Sequence, residues 1–226
     1  MSGGADSSLL AFLLAKTIVD YNLDLKILPM SFKRDNKPWN LAVATNVIEK
    51  IENILNIEKG KIFLSHNYCY FGNHEISEFH DKSLKHINNL KESKLVTIVY
   101  NGLTKNPDPL PEELYDKREI IRDNPEQIFT GNESINYIEE KLISTPFLFQ
   151  TKQFIAELYK KHNLLETLLP YTRSCEGLIR NTNFFREACK TCWWCRERKW
   201  AFAKYIDDPL IHIAPSEKLK KQCQAL

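Results

Sequence analysis

The chain opens Met1-Ser2-Gly3-Gly4-Ala5-Asp6-Ser7-Ser8 and runs straight into Leu9, Leu10, Phe12, Leu13, Leu14, Ile18 and Val19. A glycine pair set against an apolar helical run fixes a tight loop at the mouth of a helix. Two adjacent glycines leave no side chain in the way of an anion, and the turn they form can aim successive backbone N–H groups at it. Ser2, Ser7 and Ser8 add hydroxyl donors. A helix starting near Ser7 turns its positive end toward the same anion. Together these residues describe a cradle for the phosphates of ATP. Asp6 is out of place beside phosphates unless a cation intervenes, so it reads as a ligand, direct or through water, to the Mg2+ that accompanies the nucleotide. The plain alternative is a Gly-Gly turn in which Asp6 or Ser7 caps the helix.

The chain's 226 residues are enough for one sizeable core, or for a domain with a small appendage. No apolar run is long enough to span a bilayer, and the start lacks a basic segment followed by a cleavage site. The expectation is a cytoplasmic protein with no membrane partner. Lys and Arg total 31 against 29 Asp and Glu, so charge gives no whole-chain case for nucleic acid.

Apolar patterning alternates between strand and helix. Leu25 to Phe32 reads as a buried strand with Pro29 as a blemish, Asn40 to Asn56 as a helix, and Lys61 to His66 as a short strand. A helix fits Ser77 to Leu90, and Lys94 to Tyr100 is a β-branched strand closed by Asn101-Gly102. Such alternation argues for an α/β fold, a parallel sheet with helices on both faces and ligands gathered beyond the carboxyl ends of its strands. The opening loop and the Asn101 to Asp108 turn would share that crevice. Residues from Pro107 to about Gly131 form a lid or plain surface, Glu133 to Leu142 a short helix, Thr145 to Phe149 a strand or extended segment, and Thr151 to His162 an amphipathic helix. This divides the chain into an ATP-binding α/β domain at 1–150 and a helical segment at 151–226.

Cys175, Cys189, Cys192 and Cys195 stand as C-x13-C-x2-C-x2-C. Four thiolates at this spacing suit tetrahedral Zn2+, with short loops bringing neighbouring sulfurs to the ion. Three cysteines within seven residues make a poor disulfide framework in a reducing compartment; an iron–sulfur cluster is the other metal reading. A full four-cysteine shell leaves no position for water, so the site would be structural. Cys69 and Cys223 read as unpaired thiols. From Thr172 to Lys204 there are eight Lys or Arg against three Glu. Four thiolates around Zn2+ carry about −2, which those cations partly offset, so the basic segment does not require nucleic acid. Trp193, Trp194, Trp200 and Phe202 read as packing the knuckle onto the main domain, with base stacking as the lesser reading.

The loop resembles the PP-loop of the ATP pyrophosphatase superfamily, whose members cleave ATP between the α- and β-phosphates to adenylate a substrate. In that superfamily a buried strand precedes the loop, so either the start falls within a longer reading frame or the domain lacks its first strand; a central strand is hard to lose from a parallel sheet, which favours the former. With SGGADSS at one end, TPFLFQTKQFIAEL leading to Thr172-Arg173-Ser174-Cys175, and FREACKTCWWCRERKWAF at the other, the chain resembles the 7-cyano-7-deazaguanine synthases of queuosine biosynthesis. The resemblance implies a Rossmann-like sheet with a zinc-binding helical appendage. It also implies ATP-dependent conversion of 7-carboxy-7-deazaguanine and ammonia, through an adenylated carboxylate, to the nitrile. By carry-over, Ser2, Gly3, Gly4, Asp6 and Ser7 would bind ATP phosphates and Mg2+, Gly102 would line the nucleotide crevice, Lys152 would meet phosphate or substrate, and the four cysteines would hold zinc. Arg173 can pair bidentately with a carboxylate or phosphate, or form a surface ion pair. Lys152 can also be read as a solvated residue at a helix N-terminus, where a cation gains nothing from the dipole. A homodimer is plausible on the same resemblance.

Two family elements are absent. His86-Ile87-Asn88-Asn89-Leu90 stands where the family has Pro-x-Arg-Asn, and Thr104-Lys105-Asn106-Pro107-Asp108 stands where it has Asp-x-x-x-Tyr-Pro-Asp-Cys-Arg. Both border the substrate in the family, so the ATP chemistry carries over better than the substrate's identity. Two other readings stand beside it: a tRNA thiolase-like adenylating enzyme that holds RNA on its basic tail, and a nucleotide-binding protein without catalysis.

Overall fold

A computed structural model describes residues 1–33, 40–70, 76–112, 114, 122, 143–177, 179–183 and 186–224. Helix α1 spans Ala5–Asp20, strand β1 Met30–Lys33, α2 Asn40–Ile54, β2 Asn67–Tyr70, α3 Ile76–Glu92, β3 Val99–Tyr100 and β4 Ile143–Ser144. Then come α4 at Lys152–Lys161, a 3-10 turn at Leu169–Tyr171, α5 at Trp193–Phe202 and α6 at Glu217–Gln224. The architecture is mixed α/β, with six α-helices among the described residues. No helix among them is long and apolar enough to cross a membrane.

The strands pair parallel, as the alternation requires, but in two separate pairs: β1 with β2, and β3 with β4. The expected strand at Leu25 to Phe32 is broken at Pro29, which has no N–H to give a ladder. Ile27 makes an isolated parallel bridge to Phe63, and pairing resumes only where Met30 faces Asn67. The second strand therefore carries one extra residue between those two contacts, a bulge that delays β2 beyond the expected Lys61 to His66. The strand expected from Lys94 shrinks to Val99–Tyr100, because Lys94 has φ 58 and closes α3. Leu95 is left 69% exposed. Thr145 to Phe149 is a turn instead of a strand, with Leu148 N–H on the Thr145 carbonyl at 3.1 Å and Gln150 N–H on that of Phe147 at 2.9 Å. The extended piece is the pair of residues before it. The helix expected at Glu133 to Leu142 and most of the Pro107 to Gly131 stretch lie outside the described residues.

Four helices end the same way. Asn22, Asn56, Lys94 and Asn163 all have positive φ, and the N–H of each reaches back to the carbonyl three residues earlier. The next residue, Leu23, Ile57, Leu95 or Leu164, donates to the carbonyl five residues earlier. These are Schellman ends, with Asn or Lys where glycine is commonest. They are how a chain with only seven glycines stops its helices.

Helix α1 buries Ser8, Leu9, Leu10, Ala11 and Phe12 in succession, the pattern of a helix enclosed on nearly all sides. Around it one core gathers Val47, Ile48 and Ile51 of α2, Ile155, Ala156 and Tyr159 of α4, and Ala201 and Phe202 of α5. The Tyr159 and Phe202 rings meet edge to face at 5.5 Å. This core contains residues from both sides of position 150. Packing of α4 against both α1 and α5 brings the two ends of the chain together.

Candidate functional site

The opening residues form a compact turn into α1. Gly3 has φ +76, and a Cβ on it would stand 2.6 Å from Val43 Cγ1, so both the dihedral and the space demand glycine. Helix α1 begins two residues further on, at Ala5, with Gly4 as N-cap and no side-chain cap. The plain capping reading of Asp6 or Ser7 therefore does not hold. Ser7 Oγ donates to the Gly4 carbonyl and lies 3.1 Å from Ser2 Oγ, which accepts from Gly4 N–H at 3.2 Å. Ser8 is fully buried, and its hydroxyl finds no partner among the described residues. It faces the interior, away from the mouth of the loop. Gly102, just past β3, lies so close to α1 that a Cβ would stand 3.1 Å from the Asp6 carbonyl carbon and the Ser7 nitrogen. The post-β3 turn and the opening loop do share one place.

Asp6 turns to Lys152, the first residue of α4, and the two form an ion pair. Lys152 is 2% exposed, so the solvated reading of this lysine fails. Its ammonium also lies 3.6 Å from Oε2 of Glu197, which is fully buried on α5. Glu197 Oε1 in turn accepts from Arg122 at 2.5 Å, and Oε2 accepts from the same guanidinium at 3.2 Å. Arg122 donates onward to the Thr104 carbonyl, Thr104 Oγ1 and the Lys105 carbonyl. Two anions and two cations thus alternate in one line, buried except at Asp6, whose side chain is 22% exposed. Burial pushes the Glu197 carboxyl up, but Lys152 and then Arg122 beside it outweigh that and hold it below the usual carboxylate range. Asp6 Oδ1 is buried and without a hydrogen-bond partner among the described residues, an unspent acceptor beside the ion pair.

Segment 172–175 links loop and cysteines. Arg173 N–H donates to the Gly3 carbonyl at 2.7 Å, and Ala5 N–H, at the first turn of α1, donates to Ser174 Oγ at 3.3 Å. The Arg173 side chain is buried, and its guanidinium donates to the Glu187 carbonyl at 3.1 Å. Burial lowers its affinity for the proton, against the thiols of the cluster. Arg198 is buried as well and donates to the carbonyls of Pro209, Thr172 and Leu169. Two of the eight cations in the basic segment are therefore internal fasteners.

The sulfurs of Cys175, Cys189, Cys192 and Cys195 all lie within 4.8 Å of one another. A tetrahedral shell with bonds of about 2.3 Å spaces its sulfurs at about 3.8 Å, and Cys189 and Cys195 stand at 4.0 Å. The group can hold a metal ion. Its surroundings are built for thiolates: Gly177 and Cys189 N–H groups point at Cys175 Sγ at 3.3 and 3.2 Å, and Cys192 N–H at Cys189 Sγ at 3.4 Å. A Cβ on Gly177 would fall 2.5 Å from Cys189 Cβ and 2.8 Å from its sulfur, so only glycine fits. Among themselves the thiols cannot all ionise. Bonds from Cys192 and Cys195 pull Cys175 far down, and the same contact with Cys175 pushes Cys192 up to about 12 and Cys195 higher still. A cation at the centre removes that conflict.

Glu197, Arg122 and Gly177 were given no role in the sequence reading, and Ser174 entered it only as part of the Thr172 to Cys175 element. Glu197 had a signal: it lies four residues after Trp193 and four before Ala201, both buried, so helical spacing puts it on the inner face of α5. Cys69, on β2, is a half-buried free thiol that burial pushes up, as an unpaired thiol should be. No protein-family model matches the chain, and no curated protein matches it significantly.

Proposed function

We propose that the protein is an ATP-dependent ligase that adenylates a carboxylic acid, with a structural zinc knuckle behind the nucleotide site, on a Rossmann-like core. The observation that carries this reading is the junction of Asp6 and Lys152, 146 residues apart, inside the glycine loop. A loop that served only to start a helix has no need of a buried lysine on its acidic residue. Ser2, Gly3, Gly4 and Ser7 would offer hydroxyl and N–H donors to phosphate oxygens in exchange for the bonds that Ser2, Gly4 and Ser7 make among themselves, and Gly102 lets the post-β3 turn close on the loop. Asp6 Oδ1 suits a divalent cation, which when bound would draw charge from the phosphates. Lys152 would then face the α-phosphate as negative charge grows on it.

The substrate reading is 7-carboxy-7-deazaguanine with ammonia. The acid's oxygen attacks the α-phosphorus and pyrophosphate leaves; ammonia displaces AMP to give the amide. A second ATP adenylates the amide oxygen with loss of pyrophosphate, and removal of two protons from the nitrogen with departure of AMP gives the nitrile. Segment 172–175, which holds the loop through Arg173 N–H on the Gly3 carbonyl, would support the acid from the cysteine side. The test is incubation of the pure protein with ATP, Mg2+, ammonium and 7-carboxy-7-deazaguanine. Substrate-dependent release of AMP and pyrophosphate with a nitrile product is expected, and nucleotide turnover indifferent to the acid overturns the reading. Metal analysis should return about one zinc per chain.

A further inference from the structure

The proposed chemistry uses Asp6 and Lys152 but gives Glu197 no task, although Glu197 is the most enclosed charge in the site. We propose that Glu197 is a positioning residue that keeps the Lys152 ammonium at the loop when Asp6 turns to a divalent cation, and that it ties this ammonium to the cysteine cluster. The proposal rests on the reading of the opening loop as a nucleotide site. Lys152 touches both carboxylates. When a cation shares the charge of Asp6, the attraction of Asp6 for the ammonium weakens, and a flexible four-carbon side chain is then free to leave. Glu197 prevents this because it cannot itself move: Arg122 grips both of its oxygens, and Thr104 and Lys105 grip Arg122. Charges held in this way act as fixed supports for the group that meets the ligand.

The tie to the cluster follows from chain order. Helix α5 starts at Trp193 with Cys192 as its N-cap, and Cys195 sits in its first turn. Glu197 is two residues on, about 3 Å further along the axis. Whatever orders the four sulfurs orders the start of α5 and so the carboxylate. By linkage, the nucleotide should steady the metal as much as the metal steadies the nucleotide site.

The test uses the full chain with its metal. Calorimetric titration of E197Q with ATP and Mg2+ should show about a tenfold loss of affinity, the scale of one charge-assisted contact. Its affinity for adenosine, which has no phosphate, should stay within about twofold of wild type. Equal losses for both ligands, or no loss for ATP, overturn the positioning role. Should E197Q fail to fold, E197D keeps the charge while withdrawing the carboxylate by one bond, and the same selective loss is expected at about threefold. The second readout is metal release to a chromophoric chelator, with Mg2+ in excess. ATP should slow it several-fold in wild type and leave it unchanged in the Glu197 variant, and release indifferent to ATP in wild type overturns the tie. Wild-type protein that binds neither ATP nor adenosine overturns the nucleotide reading instead, and this proposal with it.

Discussion

At the scale of single residues, the site depends on positions where nothing larger fits. Gly177→Ala would drive a methyl group into the Cβ and sulfur of Cys189. The expected outcome is a loss of metal affinity of at least about tenfold, with a stability loss of about 2 kcal/mol, read by competition with a chelator and by denaturant titration. His66 makes a separate, pH-dependent contribution. Burial, with the amine of Met1 adding to it, holds its pKa down to about 3, while in an unfolded chain it returns to about 6.5. Below pH 6.5 the unfolded chain takes up a proton that the folded one refuses, so stability is lost as pH falls toward 3. Its ring lies 2.7 Å from Ser31 Oγ, whose own hydrogen goes to the Met1 carbonyl. Between pH 7 and 5, wild type should lose about 1–2 kcal/mol more than His66→Gln, measured by urea unfolding at each pH. The cysteines and the Gly3-Gly4 pair were legible in the sequence because their chemistry is carried by residue type and spacing. Glu197 and Arg122 were not: their partners lie 45 and 75 residues away, and one carboxylate in a basic stretch has nothing local to distinguish it.

At the scale of elements, helices were legible and strands were not. Asn40–Ile54, Ile76–Glu92 and Lys152–Lys161 lie within a residue or two of where apolar spacing put them, because a helix satisfies its own hydrogen bonds and its pattern is local. Strands depend on a partner, and among the described residues Pro29 and the extra residue before Asn67 interrupt the first pair, and the ladders run over four and two residue pairs. The run from Lys94 to Tyr100 misled for a specific reason: its first residue is the left-handed stop of α3, a role that its β-branched successors hide. Lysine is costly there. A non-glycine residue in the left-handed region costs about 1 kcal/mol, so Lys94→Gly should raise stability by up to that amount. Asn22→Gly and Asn56→Gly should change it by only a few tenths, since asparagine tolerates this region well. Denaturant midpoints of the three variants decide this, and a destabilised Lys94→Gly would mean that its side chain, not its dihedral, holds the end of α3.

For the whole molecule, the question is whether the cysteine cluster is a local clasp or a member of the core. A local clasp would fray alone on metal removal, leaving α1 and α4 untouched. The contacts argue otherwise. Phe202 of α5 is fully buried against Tyr159 of α4, whose hydroxyl donates to the Ala5 carbonyl at the head of α1. Arg198, three residues beyond Cys195, is bound to the carbonyls of Leu169, Thr172 and Pro209, and Arg173 N–H holds Gly3. The order of α5 therefore reaches the first turn of the chain through both side chains and backbone. Stripping the metal should lower a single unfolding transition, by an amount set by the metal's affinity and concentration, instead of splitting it in two. Amide hydrogen exchange gives the finer reading: protection should fall in α1 and α4 together with α5, while the β1–β2 pair, which is fastened to α2, should change least. Exchange that accelerates only in α5 and the residues around the cysteines would show the cluster to be a separate unit. It would also leave the glycine loop to be held by α2, through Gly3 against Val43, and by β1, through Ser31 on the Met1 carbonyl.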